Sequence, residues 1–178
     1  MSLRFAILGL LSLAPMSGYD LKRTIDQSVG HFWTADHPQI YRTLASLVDD
    51  GLATRRTVVR TDRPSTHIHA PTDAGLAALE DWLREPPPPA PVREAFLAKL
   101  FFVGRLDAEA ARALLRSRRE EALAAVARLE ALEVPPPEQG LSALLRGATR
   151  ENGLVHARAE LEWVEQTLAA IRTDEAGS

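Results

Sequence analysis

The segment Glu85-Pro86-Pro87-Pro88-Pro89-Ala90-Pro91 limits what this chain can fold into more than any other part of it. Proline lacks a backbone donor and cannot continue a helix, so a run of prolines forms a stiff, extended connection. We therefore divide the 178 residues into a first domain at 1–85, a linker at 86–91 and a second domain at 92–172. Residues 173–178 are predicted to form a disordered tail.

The first domain contains a stretch, Asp36 to Gly51, with the boundaries of one helix. Asp36 suits an N-cap, Pro38 falls in the first turn, where no N–H is needed, and Gly51 suits a left-handed C-cap. Its apolar side consists of Ile40, Leu44, Leu47 and Val48. Its polar side carries Gln39, Arg42, Ser46 and Asp49, flanked by Tyr41 and Thr43. Gln and Arg read base edges and hydroxyls hold phosphates, although any surface helix has a polar outer face.

Two helices are predicted before this one. The first runs from about Leu3 to Leu13 and is apolar nearly all round, so it should be buried on more than one side. Ser17 then caps a second helix that reaches about Gln27. Three helices with a turn before the third form a helix-turn-helix arrangement, whose third helix enters the major groove of DNA.

A β-hairpin is predicted after the third helix, since β-branched residues from Thr54 to Val59 precede a turn at Thr61–Pro64 and a second strand at Ser65–Ala70. A hairpin at this place is the wing of a winged-helix domain. Residues 52–72 hold four arginines against one aspartate, a local positive field in a chain of net charge -3. The predicted DNA contacts are Gln39, Tyr41, Arg42, Thr43, Ser46, Arg60, Arg63 and Thr66.

A fourth helix is predicted from Asp73 to Arg84, with Thr72 as its N-cap. Its inward residues are expected to be Leu76, Leu79 and Leu83. Trp82 is expected to pack. Tyr19 could touch a phosphate, but packing against the preceding turn is the favoured reading, and Trp33 is read as a core plug rather than a ligand-stacking residue.

The second domain is predicted to be all-helical. Helices are expected from Val92 to about Val103, from Asp107 to about Glu133, and up to about Ile171 with an interruption near Gly147 or Gly153. The last region has apolar residues at heptad spacing, namely Leu154, Ala157, Leu161, Val164, Leu168 and Ile171. It can pair with the preceding helix as an antiparallel hairpin, but a hairpin leaves apolar faces uncovered. We therefore predict a homodimer.

No pattern in the chain indicates catalysis. The absence of cysteine excludes disulfides and thiolate chemistry, and no glycine-rich phosphate loop or activated nucleophile is evident, so we expect neither an enzyme nor a cofactor. His67 and His69 share a strand face but lack a third ligand, so no metal is predicted. The apolar run before Ala14 is too short to span a membrane, and we expect a cytoplasmic protein.

Several short motifs, in order, resemble the PadR-like winged-helix transcriptional regulators. In the first domain they are Leu8-Gly9-Leu10-Leu11, Ser17-Gly18-Tyr19-Asp20-Leu21, Phe32-Trp33, Ile40-Tyr41-Arg42-Thr43-Leu44, Asp50-Gly51-Leu52, Arg63-Pro64 and Thr72-Asp73-Ala74-Gly75. In the second they are Phe96-Leu97-Ala98-Lys99-Leu100-Phe101-Phe102 and Glu162-Trp163. The resemblance implies a homodimeric regulator, usually a repressor, that binds an inverted-repeat operator in double-stranded DNA and is released by a small molecule.

Two departures from the family pattern concern the DNA contacts. Ala45-Ser46 stands where the family often has a basic residue, and Thr66-His67-Ile68-His69 stands where the wing usually reads Lys-Tyr-Tyr. A small apolar or aromatic effector is expected, with Phe101 and Trp163 as candidate contacts, although both also suit an interface core. Two alternatives stay open: a winged helix used for protein–protein interaction, which nine basic and nine acidic residues in 1–84 permit, and a small-molecule carrier.

Overall fold

The fold consists of two units, which we treat separately. The computed structural model describes residues 3–30, 32–59, 65–87, 94–134, 136 and 139–176, with side chains up to residue 171. Its contacts divide the chain into Met1–Pro89, here called unit 1, and Ala90–Ser178, called unit 2. The boundary falls inside the proline-rich segment from which the sequence predicts a linker.

Unit 1 contains the four predicted helices. They are α1 (Leu3–Leu13), α2 (Gly18–Thr24), α3 (His37–Asp49) and α4 (Asp73–Arg84). A π-helical turn, Ile25–Val29, extends α2 beyond the predicted end at Gln27. Ser17 caps α2 and Thr72 caps α4, as their hydroxyls accept from the backbone N–H groups of Asp20 and Gly75.

Both ends of α3 follow from the sequence. The Asp36 carboxylate accepts a hydrogen bond from the Gln39 backbone at 2.7 Å, and the Gln39 side chain accepts one from the Asp36 backbone at 3.2 Å. This reciprocal pair satisfies two of the backbone donors that a helix start leaves free. After the C-cap at Asp50, Gly51 takes a φ of 71°, a left-handed conformation that side chains disfavour.

A three-stranded antiparallel sheet completes unit 1. Its strands are β1 (Met16–Ser17), β2 (Ala53–Val58) and β3 (Thr66–Pro71), in the order β1-β3-β2. The β2–β3 pair is the predicted hairpin, in which Ala53 lies opposite Pro71 and Val58 opposite Thr66. β1 was not predicted, because two residues before a helix carry no alternating pattern.

The core of unit 1 lies between its helices. Its fully buried side chains are Ile7, Leu8, Leu11, Leu21, Ile25, Ile40, Leu44 and Leu47. Trp82 packs, as predicted, with its ring stacked on Phe5 at 5.2 Å between centroids. Leu79 is buried, but the prediction was wrong for Leu76 and Leu83, which are 37% and 66% exposed.

The docking of α4 explains this error. Helix α4 approaches the backbone so closely that a Cβ on Gly75 would lie 2.0 Å from the carbonyl oxygen of Leu52. Gly75, Leu79 and Trp82 are spaced four and three residues apart, so they form the inner face. Leu76 and Leu83 are rotated away from that face.

Unit 2 contains α5 (Ala95–Val103), α6 (Ala108–Glu130) and α7 (Leu141–Ala176). Arg118 pairs with Glu160 and Arg158 with Glu130, so α6 and α7 run antiparallel, as predicted. The heptad residues of α7 are buried or half-buried. No helix among the described residues is both long and apolar enough to cross a membrane.

Helix α7 corrects two predictions. It continues through Gly147 and Gly153, where an interruption was expected, because packing along α6 outweighs the roughly 1 kcal/mol by which each glycine disfavours a helix. It also covers residues 173–176, which the sequence analysis assigned to a disordered tail. No proline or glycine between Leu154 and Ala176 stops it.

Candidate nucleic-acid interface

Four of the predicted DNA contacts lie together on one side of α3. Gln39, Arg42 and Ser46 are exposed and Thr43 is half-buried. They line an open groove of about 540 Å³ whose other lining residues are Leu3, Arg4, Trp33 and Thr34. Trp33 is therefore a half-buried groove wall and not the core plug that was predicted, because its loop passes along the flank of α3.

The side chains of this polar face are held by their own helix. Thr43 donates from its hydroxyl to the carbonyl of Gln39 at 2.8 Å, and Arg42 donates from Nε to the carbonyl of Pro38 at 3.3 Å. The side-chain oxygen of Gln39 is engaged in the N-terminal cap. The amide NH₂ of Gln39 and the terminal guanidinium groups of Arg42 therefore remain for a ligand.

An ion pair fixes the C-terminal end of the same face. Arg4 donates from Nη2 to the Asp50 carboxylate at 2.8 Å, and Ser46 donates to the same oxygen at 3.3 Å. A negative side chain at a helix C-terminus is disfavoured by the helix dipole, and Arg4 offsets that effect. The sequence analysis missed Arg4, because 46 residues separate the two partners.

Tyr41 lies on the other flank of α3, in an aromatic row with Tyr19 and His37. The ring of His37 contacts Tyr19 at 6.3 Å and Tyr41 at 6.4 Å between centroids, with 20° between planes in both pairs. Tyr19 is 65% exposed, so the prediction that it packs against the preceding turn was wrong. Gly18, Leu21 and Ile25 form the buried side of α2, which turns position 19 outward.

The wing is described only in part. Thr66 is half-buried at the start of β3, whereas Arg60 and Arg63 lie outside the described residues. The exposed His67 shares a hydrogen bond between Nδ1 and the Thr57 hydroxyl at 3.1 Å. Among the described residues, no group of three or more histidine, cysteine, aspartate or glutamate side chains could hold a metal ion.

His69 differs from His67 although the two share a strand face. It is 5% exposed, and its Nδ1 has no hydrogen-bond partner among the described residues. Burial, followed by the nearby charges of Arg55 and His67, lowers the pKa of His69 below its usual 6.5, while a hydrogen bond to the Met16 backbone opposes this shift. Its surroundings therefore favour the neutral imidazole of His69 over the charged form.

The two candidate effector contacts in unit 2 have different partners. Phe101 is 83% exposed and makes an edge contact with Phe102 at 5.0 Å between centroids. Trp163 is 37% exposed and makes an edge contact with Phe96 at 6.2 Å. The guanidinium of Arg118 lies over the Phe96 ring at 5.0 Å. Phe101 and Trp163 thus belong to separate aromatic contacts within unit 2.

Both units resemble known regulators. Residues 7–81 match the model of the transcriptional regulator PadR-like family, and residues 92–172 match that of the virulence activator alpha C-term family. The negative transcriptional regulator PadR of Bacillus subtilis is 31% identical over 185 residues, which cover 97% of this chain and 98% of that protein.

Solved structures agree with this match over nearly the whole chain. Bacillus subtilis PadR in complex with operator DNA has a TM-score of 0.78 at 30% identity, covering 95% of this chain and 98% of that one. The structure of the same protein in complex with p-coumaric acid has a TM-score of 0.74 at 30% identity, covering 96% of this chain and 98% of that one. The structure of the Vibrio cholerae virulence activator AphA has a TM-score of 0.75 at 30% identity, covering 97% of this chain and 99% of that one.

The fold and the polar face of α3 are those of a winged-helix regulator of transcription. The near full-length match places the chain more narrowly: it belongs to the PadR-like family of transcriptional regulators.

Proposed function

We propose that this protein is a sequence-specific repressor that binds an operator as a homodimer and acts by binding rather than catalysis. The observation that carries the proposal is the exposed polar face of α3, whose capped N-terminal half presents Gln39 and Arg42 beside each other. We place the protein in the cytoplasm, because its proposed target is chromosomal DNA.

The proposed contacts divide into two classes. Gln39, Arg42 and Thr43 would read base edges in the major groove. Amides and guanidinium groups form paired hydrogen bonds there, and the methyl group of a threonine can contact a thymine methyl group. The phosphate contacts would be Tyr41, Ser46, Arg60, Arg63 and Thr66. Phosphate contacts orient a protein on DNA without selecting sequence. Variants of the phosphate contacts should therefore lower the affinity for every duplex, whereas variants of the base contacts should lower it mainly for the operator.

Dimerisation is proposed to involve unit 2. Phe101 and Phe102 are 83% and 62% exposed, and the start of α7 exposes Leu141, Leu144 and Leu145. Large apolar side chains exposed in this number on an isolated chain suit a protein interface. A two-fold dimer presents two copies of α3 that a two-fold rotation relates, so its operator would be an inverted repeat.

We propose that a small aromatic or apolar molecule releases the operator. Bacillus subtilis PadR is a negative regulator with a solved p-coumaric acid complex, which supports repression and an aromatic effector for this chain. Because Phe101 and Trp163 have separate partners, we propose Trp163, beside Phe96 and Arg118, as the stronger effector contact of the two. Phe101 then serves the dimer surface.

The test is a comparison of two arginine variants on two duplexes. The first duplex is selected by the wild-type protein from a random-sequence library, and the second is its scrambled counterpart. Arg42→Ala should lower the affinity for the selected duplex by about 5- to 150-fold and leave the affinity for the scrambled duplex nearly unchanged. The control, Arg128→Ala, removes an exposed arginine from unit 2 and should alter neither.

Two outcomes would contradict the proposal. Equal loss on both duplexes for Arg42→Ala would remove its role in base reading. Failure of the wild-type protein to enrich any duplex, at both low and moderate salt, would instead favour a winged helix that binds protein or a small-molecule carrier.

A further inference from the structure

The aromatic row of Tyr19, His37 and Tyr41 is an exposed surface of unit 1 that the proposed base-reading face does not use. The chain has two tyrosines, and both lie in the row, at 65% and 51% exposure. Within the described part of the chain, neither the tyrosine hydroxyls nor the His37 ring nitrogens have a hydrogen-bond partner. Their hydrogen-bonding capacity is left for a ligand.

The backbone of Gly18 lies close to the ring of Tyr41, and this contact positions the row. A Cβ on Gly18 would lie 2.5 Å from Cε1 and 2.9 Å from Cζ of Tyr41. Tyr41 therefore occupies the space that any other residue at position 18 would fill. This contact positions Tyr41 beside α2, where Tyr19 extends the row across two helices.

The place of the row on α3 decides what it would meet. An α-helix with side chains is about 10–12 Å across, and the major groove is about 12 Å wide, so a helix in the groove touches both walls. Tyr41 directly precedes Arg42 in α3, and adjacent residues of an α-helix point about 100° apart around its axis. When Arg42 faces the bases, Tyr41 therefore faces a wall of the groove, which is the sugar–phosphate backbone.

We infer that Tyr19, His37 and Tyr41 form a binding surface for one strand of the sugar–phosphate backbone. The tyrosine hydroxyls donate to phosphate oxygens, and the ring faces pack against deoxyribose. The row adjoins the N-terminus of α3, whose partial positive charge favours an anion. The inference rests on the proposed function, and it adds Tyr19 and His37 to the contacts.

The first test removes the two hydroxyls and keeps the rings. The double variant Tyr19→Phe/Tyr41→Phe should bind both the selected and the scrambled duplex more weakly, by about fivefold for each hydroxyl. The slope of log affinity against log salt should not change, because no charge is removed. Thr167→Val deletes a hydroxyl from α7 in unit 2 and is the matched control.

The second test moves the Tyr41 ring without substituting any of the proposed DNA contacts. Gly18→Ala places a methyl group where the ring lies and should weaken both duplexes. Gly9→Ala is the control within the same unit, because a Cβ there meets nothing within 4 Å. A thermal melt of each variant confirms that it folds.

A direct readout uses protein labelled with 3-fluorotyrosine, whose two ¹⁹F resonances both come from the row. Both should shift when the scrambled duplex is added. Unshifted resonances, or undiminished affinity of the double variant, would overturn the inference and remove Tyr41 from the phosphate contacts, while leaving base reading by Gln39 and Arg42 and the proposed function as a sequence-specific repressor intact. Loss confined to the selected duplex would also overturn it, since that is base reading. A wild-type protein that binds neither duplex would instead remove the proposed function.

Discussion

Unit 1 and unit 2 differ in how completely they bury their apolar side chains. Among the described residues, eight large side chains of unit 1 are fully buried, whereas in unit 2 only Leu115 and Val164 are. Helix α5 is the extreme case, because it is almost entirely apolar and yet none of its residues is buried. Its Phe101 and Phe102 lie largely in solvent.

This difference in burial indicates that unit 1 can fold on its own core, whereas unit 2 needs a second subunit to cover its apolar surface. Unit 1 has a core of its own, so its exposed aromatic and polar residues on α2 and α3 are available for DNA. Unit 2 packs α6 against α7 along one seam and leaves other apolar surface uncovered, which a second subunit would cover. The four variants below test this contrast, starting from the largest expected effect.

Val164→Asp should unfold unit 2. Val164 is fully buried in the seam, and an unpaired carboxylate there should reduce the free energy of unfolding by more than about 4 kcal/mol. Urea denaturation followed by circular dichroism measures the loss. Val155→Asp makes the same change at an exposed site in the same helix and should keep the helix content. Equal stability of the two variants would show that the α6–α7 seam is wrongly placed.

Phe101→Ser/Phe102→Ser should separate the subunits without unfolding them. Each phenylalanine that an interface buries contributes about 1.5–3 kcal/mol, so the dimer dissociation constant should rise by about 100-fold or more. Light scattering across a dilution series measures it. Leu83→Ser removes an exposed apolar residue from unit 1 and serves as control. A double variant that stays dimeric on dilution would place the interface elsewhere.

Gly75→Ala should destabilise unit 1 by about 1–3 kcal/mol, because the new Cβ forces α4 away from Leu52. The same change at Gly147 in unit 2 meets nothing within 4 Å and should stabilise α7 by up to about 1 kcal/mol. Melting temperatures of the two variants should therefore move in opposite directions. Shifts of the same sign would contradict the close approach of α4.

The smallest effect is a pH dependence confined to unit 1. The pKa of His69 is lowered by burial, by Arg55 and by His67, so the unfolded chain takes up a proton at higher pH than the folded one. The stability contributed by neutral His69 is present above its usual pKa of 6.5 and is lost as pH falls below it. Urea denaturation at pH 7.5 and 5.5 measures the loss. His69→Leu should reduce that difference, and an unchanged difference would exclude His69 as its source.

The sequence predicted those parts of the fold that depend on neighbouring residues. Examples are the capping of α3 by Asp36, the left-handed Gly51 and the β2–β3 hairpin. In each case residues close together in the sequence are of types that commonly form that one local structure. Strand β1 could not be predicted, because its two residues become a strand only through pairing with β3. The inner face of α4 likewise depends on a close approach to Leu52.

The candidate site was predicted in the same uneven way. Helical periodicity placed Gln39, Arg42 and Ser46 on the polar side of α3 with Thr43 at its flank, and the structure brings these four residues to one groove. The ion pair of Arg4 with Asp50 and the contact of Tyr19 with His37 depend on how separate helices pack. Single-helix patterns carry no information on such contacts.

The central claim is that a dimer places two copies of α3 in the major groove on one side of the operator. Two half-sites must then be separated by about one helical turn, roughly 34 Å, or a multiple of it. The most direct measurement is the affinity for an operator with about five base pairs, half a turn, inserted between the half-sites. Our account predicts a fall to near the affinity for scrambled DNA. Undiminished affinity would mean that each subunit binds independently, and it would contradict the paired winged helices proposed here.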